Sequence, residues 1–150
     1  MEVFRISEDI YANALTSSGS ANRWNLKGHQ VIYTGSTRSL STLELVVHKG
    51  AVVPTKIYKV MVISIADSDD LFKQVLLKDL PTHWRTLSAY PILQRIGADW
   101  ADKRESLVLK VPSAIMPKEY NYVINTEHPD FKDHVKLVRV EPYFWDSRLL

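Results

Sequence analysis

The chain has 150 residues, 45% of them apolar and 24% charged, with a formal net charge of +2. That is the length of one domain, enough to bury a core, with ordinary soluble composition and no block of Lys and Arg that would make nucleic acid the default partner. No apolar run is long enough to span a bilayer, and the N-terminus lacks a secretory pattern. Absence of cysteine excludes disulfides, thiolate catalysis and thiolate metal sites, and fits a reducing cytosol.

Read in order, Glu2 to Ile6 begins with β-friendly residues and is expected as the first strand, with Arg5 inside it. Arg5 reads either as a strand residue facing solvent, which pattern alone favours, or as a guanidinium at the floor of a cleft. Ile10 to Leu15 is expected as a short helical turn. Thr16 to Asn22 is a Ser/Gly/Asn-rich loop that continues through Arg23, Trp24 and Asn25. There Trp24 can anchor the loop to the core while Arg23 is solvated. Alternatively, Arg23 presents its fork of donors to an anion. Val31 to Thr34 is a strand carrying Tyr33, a core residue or a stacking platform for a ligand ring.

The next element is a helix with Leu40, Leu43, Val46 and Val47 as its apolar stripe, Ser39 or Ser41 as N-cap and Gly50 as its stop. Glu44 has two readings of nearly equal weight. Ser41-x-x-Glu44 fits a capping box, yet Leu40, Glu44 and Val47 share the inward stripe, where a carboxylate must be paired or line a cavity. Lys56 to Ile65 is the clearest strand, apolar on both faces and therefore expected at the centre of a sheet. Asp67 to Asp70 reads as a solvated turn, and Leu71 to Leu80 is ambiguous. A helix starts at Ser88 or Tyr90 with Pro91 in its first turn, and Gly97 within it implies a close packing contact. Strands follow at Glu105 to Val111, Tyr120 to Asn125 and Val135 to Val140. Six or seven strands and two or three helices, without regular βαβ alternation, predict an α+β fold. Its core is a mixed, mostly antiparallel sheet with short helices, organised as one domain over 1–150.

Dinucleotide and phosphate loops, metalloprotease motifs and the serine nucleophile elbow are missing, and the five histidines lack metal-ligand spacing. No metal is expected. His128-Pro129-Asp130 matches a co-chaperone tripeptide, but its flanks read as strands and the match is taken as chance.

An ordered set of segments spans nearly the whole chain: Phe4-Arg5-Ile6, Arg23-Trp24-Asn25 with Gly28, Tyr33-Thr34-Gly35-Ser36, Leu43-Glu44 with His48, Gly97-Ala98-Asp99-Trp100, Ser113 after Val111-Pro112, Asn121-Tyr122, Asn125 with His128, and Arg148-Leu149. This set resembles the RES domain, the toxin half of bacterial RES–Xre toxin–antitoxin pairs. Where the family often carries glycine before the Arg-Trp-Asn segment this chain has Asn22, which tolerates left-handed φ.

The resemblance implies an ADP-ribosyltransferase-like fold and a cytoplasmic toxin that uses NAD as substrate and cleaves its nicotinamide–ribose bond by hydrolysis or phosphorolysis. The alternatives are an ADP-ribosyltransferase acting on a specific protein and an inactive RES-like module that only docks a partner. A nuclease reading is disfavoured, because there is no basic cluster and no clear histidine pair. The implied partner is a DNA-binding antitoxin of the Xre type that blocks the active site and through which oligomers form, without direct nucleic-acid or membrane binding. The implied catalytic residues are Arg23, Glu44 and Tyr33. Arg5, Arg23, Tyr33, Ser113 and Asn25 are the implied NAD-binding residues. In this scheme arginine takes phosphate or orients ribose, Tyr33 stacks on nicotinamide, Ser113 bonds the nicotinamide amide or ribose, and Glu44 meets a ribose hydroxyl, the developing positive charge or the attacking water.

Overall fold

Alternating side chains along each strand sort the apolar residues onto two faces of a twisted sheet. The computed structural model describes residues 1–50 and 55–149. In chain order the elements are β1 (Glu2–Glu8), β2 (Val31–Gly35), α1 (Arg38–Lys49), β3 (Tyr58–Ile65), β4 (Phe72–Gln74), α2 (Tyr90–Lys103), β5 (Val108–Pro112), β6 (Tyr120–Asn125), α3 (Phe131–His134) and β7 (Val135–Pro142). The sheet runs β4-β5-β6-β2-β1-β3-β7, and every pairing is antiparallel except β4 with β5. This is the α+β, mostly antiparallel class expected from the sequence. None of the described helices is long and apolar enough to cross a membrane.

One face buries Val3, Ile32, Met61, Ile63, Ile65, Val108 and Ile124 in a single cluster. The opposite face is divided. Val31, Leu109, Val111 and Val123 pack with α2 and with Trp24 and Trp84. Phe4, Val60 and Val62 form a separate cluster under α1 and Tyr143. The division follows from the pairing. β1 runs beside β3 from Glu2↔Ser64 to Glu8↔Tyr58, but meets β2 only at Phe4↔Gly35. The sheet therefore parts along the seam between β1 and β2.

Several expectations change. β3 is buried on both faces, but it lies next to the edge strand β7, and β2 takes the centre. One face of β3 is buried in a cluster with Val3, Leu71 and Val135, and the other in a cluster with Phe4 and Tyr143. The ambiguous 71–80 stretch is the three-residue β4 followed by a 3-10 turn at Leu77–Asp79, and the turn expected at Ile10 to Leu15 is a 3-10 turn at Asp9–Tyr11. Asn22 is not left-handed. Positive φ in this loop falls at Gly19 and Gly28, while the Asn22 side chain accepts the Arg23 N–H at 2.9 Å.

Candidate active site

The cleft is built from the end of β2 outward. Gly35 ends that strand because no side chain fits: a Cβ there would lie 2.5 Å from Ser41 Oγ. The space lets the first turn of α1 settle on the seam, where Ser41 Oγ bonds the Phe4 carbonyl at 2.9 Å and the Thr37 carbonyl at 3.0 Å. Thr37, not Ser39 or Ser41, is the N-cap, with its hydroxyl accepting the Leu40 N–H at 3.0 Å. Ser41 lies inside the helix, so the capping box reading fails. Gly50 closes the helix in the left-handed conformation expected of it, with φ 61° and ψ 52°.

Freed from capping, Glu44 reaches across to β5 and β6. Its Oε1 accepts from Asn121 Nδ2 at 2.7 Å and from Ser113 Oγ at 3.2 Å. Ser113 is buried at the end of β5, and its oxygen also accepts the N–H groups of Ile115 (3.1 Å) and Met116 (3.0 Å). One hydrogen and two lone pairs are all a hydroxyl has, so Ser113 is fully used in holding the carboxylate. Both donors converge on one oxygen, Glu44 Oε2 has no hydrogen bond among the described residues, and Glu44 lines the cleft. Asn121 Oδ1 is buried without a partner among the described residues. An unpaired buried acceptor costs about 1–3 kcal/mol, so it marks a place where stability is given up.

On the opposite wall the Tyr33 hydroxyl donates to Asn25 Oδ1 at 2.6 Å and accepts the Trp24 N–H at 3.0 Å. Burial pushes the Tyr33 hydroxyl well above the ordinary tyrosine value, against the weaker pull of the Trp24 N–H. It stays a neutral phenol with a fixed ring. Asn25 is itself closed off, its amide donating to the Ser20 and Leu26 carbonyls at 2.9 and 3.0 Å. Trp24 is 2% exposed and packs on Trp84, so the loop is anchored as the plainer reading of Trp24 requires.

Arg23 is not simply solvated. Its guanidinium lies 4.9 Å over the Tyr90 ring, and Nη1 donates to the carbonyls of Trp84 and Arg85 at 3.2 Å each. Arg5 does not face bulk solvent. It lines the cleft and donates from Nη1 to the Thr16 carbonyl at 2.9 Å. Burial lowers its pKa, though a guanidinium remains charged throughout the working range.

The resulting cleft has a volume of about 540 Å³, within the usual range for small-molecule sites of about 300–1,000 Å³. Arg5, Arg23, Tyr33 and Glu44 all line it. Asn25 and Ser113 do not; they stand directly behind Tyr33 and Glu44. Tyr90 and Asn121 also line it, and neither was singled out as a site residue from sequence. The available signal for Asn121 was its place on the same face of β6 as Val123, at the strand start. A polar residue on a buried face should have prompted a search for its partner. Among the described lining residues Glu44 is the only carboxylate, set against two guanidinium groups.

The family model described as RES domain matches residues 2–146. The chain belongs to the RES domain family. It is 34% identical to the Toxin Res of Yersinia enterocolitica over 99% of both chains, and 33% identical to the Toxin Res of Pseudomonas putida, again over 99% of both. It is also 33% identical to the Prs ADP-ribosylating toxin of a Sphingobium strain, over 93% of this chain and 88% of that one. Among solved structures, the M. tuberculosis MbcT–MbcA toxin–antitoxin complex contains a chain that superposes with a TM-score of 0.68 at 15% identity, covering 95% of this RES domain and 81% of that chain. That likeness shows a shared α+β fold.

Proposed function

We propose that this RES domain, read as one unit over 1–150, is the toxin of a toxin–antitoxin pair and cleaves the nicotinamide–ribose bond of NAD. The observation that carries the reading is the Glu44 carboxylate. It is held by Ser113 and Asn121 through one oxygen only, and it lines a cleft that also holds Arg5 and Arg23.

The chemistry needs little more. Nicotinamide leaves as a neutral molecule, taking the electron pair of the bond to ribose, so no general acid is required. Positive charge then grows on the ribose in an oxocarbenium-like transition state. A pre-positioned carboxylate stabilises that charge without reorganising, and it can accept a hydrogen bond from a ribose hydroxyl or from the attacking water. Arg23 and Arg5 supply donors for the pyrophosphate. Each uses Nη1 on a backbone carbonyl, and among the described residues the other guanidinium N–H groups have no hydrogen-bond partner and are offered to oxygen acceptors. The fixed Tyr33 ring offers a flat wall for the pyridine. Ser113 and Asn25 act at one remove, through Glu44 and Tyr33.

The acceptor of the ADP-ribosyl group is water or phosphate in this reading. Transfer to a protein is the second reading, favoured by the whole-length similarity to a relative named as an ADP-ribosylating toxin. The site of action is placed in the cytoplasm, and the partner is an antitoxin, of the Xre type on the family resemblance, seated over the cleft. Partnering is supported by the solved neighbour, which is itself a toxin–antitoxin complex.

The test is nicotinamide release from NAD by the purified chain, with phosphate absent or present. Wild-type protein should release nicotinamide steadily. Glu44→Gln keeps both hydrogen bonds at Oε1 but loses the charge, and should lower the rate by at least about a hundredfold while the thermal midpoint stays near wild type. Equal rates would remove Glu44 from the chemistry. Label from adenine-labelled NAD appearing on a lysate protein, without free ADP-ribose, would favour the transferase reading.

A further inference from the structure

A dinucleotide carries two flat rings, and Tyr33 serves only one of them. The purine at the far end needs a wall of its own. Among the described residues four aromatic side chains line the cleft: Phe4, Trp24, Tyr33 and Tyr90. Phe4 and Trp24 are spent on packing, at 8% and 2% exposure, and the Phe4 ring also carries the Arg38 guanidinium at 4.4 Å. Tyr90 remains. It is half-buried at the start of α2, where the Arg23 guanidinium lies 4.9 Å over its ring. Three residues earlier, Leu87 lines the same cleft and is 76% exposed. That exposure is built in. The 3-10 turn Leu87–Ala89 is tied by the Ala89 N–H to the Thr86 carbonyl at 3.2 Å and by Thr86 Oγ1 to the His83 carbonyl at 2.8 Å, and Ala89 is fully buried. The turn therefore holds an apolar side chain out at the cleft mouth, where Val47 of α1 is exposed as well. Exposed apolar side chains grouped at a concave opening mark a binding groove.

We infer that Tyr90 and Leu87 form the purine subsite of the cleft, with the base stacked against the Tyr90–Arg23 pair and covered by Leu87. The inference rests on the reading of the cleft as the NAD site. Bases stack on aromatic rings and on guanidinium planes alike. A guanidinium donates in its plane and stacks through its face, so Arg23 serves phosphate and base together. It is already held by the Tyr90 ring and by the carbonyls of Trp84 and Arg85, so little order is lost when the base arrives. The sequence of contacts also follows the ligand: Arg23 meets the pyrophosphate, and the ring beneath Arg23 meets the adenosine that comes next. Tyr90 and Leu87 are binding residues in this role, remote from the bond that breaks. Binding energy gained there is available to hold the nicotinamide ribose against Glu44.

The experiment compares kcat/KM for NAD and for nicotinamide mononucleotide in wild type, Tyr90→Ala, Tyr90→Phe and Leu87→Ser. The mononucleotide keeps the reacting bond and one phosphate but lacks the adenosine half. Wild type should prefer NAD. Tyr90→Ala should cut that preference by about tenfold, the loss of one base stack, and Leu87→Ser should cut it in the same direction. Tyr90→Phe keeps the ring and should retain most of the preference. Equal losses on both substrates in Tyr90→Ala would make Tyr90 a brace for Arg23 only. That result, or a preference unchanged in Tyr90→Ala and Leu87→Ser, overturns the inference while leaving NAD cleavage standing. If Tyr90→Ala does not fold, Leu87→Ser decides, because it changes an exposed side chain. If the mononucleotide turns over too slowly to follow, inhibition of NAD cleavage by AMP and by ribose 5-phosphate, which lacks the base, decides instead. AMP should be the stronger inhibitor of wild type and lose that advantage in Tyr90→Ala and Leu87→Ser; equal inhibition of wild type by the two overturns the inference. Absence of NAD cleavage overturns the proposed activity, and this inference with it.

Discussion

Glu44 and Arg23 occupy facing walls of the cleft, and each is held by groups that the sequence places far away. Ser113 and Asn121 lie 69 and 77 positions from Glu44, and the carbonyls that anchor Arg23 lie 61 and 62 positions on. Holding a charged side chain at several points removes rotamer freedom before a ligand arrives, which is what preorganisation requires. For Arg23 the bonds to Trp84 and Arg85 also brace the loop before α2. Arg23→Ala should thus raise KM for NAD, and also lower stability by about 1–3 kcal/mol, since bonds from a charged donor are lost. Steady-state kinetics beside chemical denaturation separate the two effects. Lower stability with an unchanged KM would make Arg23 a loop brace only.

The two longer helices are seated by glycines at closest approach. Gly35 admits Ser41 of α1, and Gly97 of α2 lies against the Trp24 backbone, where a Cβ would fall 1.6 Å from the carbonyl oxygen. The close contact expected at Gly97 from its cost within a helix is present. Its consequence runs from packing to function, because Trp24 sits between Arg23 and Asn25. On an exposed helix Gly→Ala would stabilise by about 1 kcal/mol. Gly97→Ala should instead destabilise by about 1–3 kcal/mol, because backbone must move apart. A denaturation midpoint above wild type would show that the approach is looser than this. At α1 the inward position of Glu44 was legible from its i, i+4, i+7 spacing with Leu40 and Val47, but Val47 itself is 59% exposed at the cleft mouth. Spacing identifies a face, and only the packed partner decides how far around the helix that face extends.

At the scale of the whole molecule, the seam between β1 and β2 turns a sheet into a site. Covering one half with α2 and the Trp loop and the other with α1 leaves the cleft between them. An ion cluster ties the two ends of this arrangement together. Arg38, at the start of α1, makes paired bonds of 2.8 and 2.9 Å to Glu141 of β7, and Arg139 adds another of 2.9 Å. These guanidinium groups, Arg38 first, hold the Glu141 carboxyl down from its ordinary 4.5 to about 2. A carboxyl depressed in the folded chain adds stability above its unfolded value, and that contribution is lost as pH falls from about 4.5 through about 2. The thermal midpoint of wild type should therefore fall more steeply across that interval than that of Glu141→Gln, most clearly at low salt. Parallel pH profiles would show that the cluster contributes nothing measurable.

From the sequence by itself came six strand segments, though not β4, together with the two longer helices and the α+β class; Arg5, Arg23, Tyr33 and Glu44 were named as site residues by the family resemblance, and local pattern alone had left Arg5 facing solvent. Hydrophobic period, glycine stops and unusual polar residues are local signals, and they survive folding because backbone geometry is local. Tertiary structure alone decided that Glu44 is clamped rather than capping its helix, that Ser113 and Asn25 stand behind the cleft wall, and that Asn121 lines it and bonds Glu44. Those are outcomes of sheet order and register. Pairing β6 between β5 and β2 brings Asn121 to Gly35 and Val111, and no periodicity along the chain encodes which strands become neighbours.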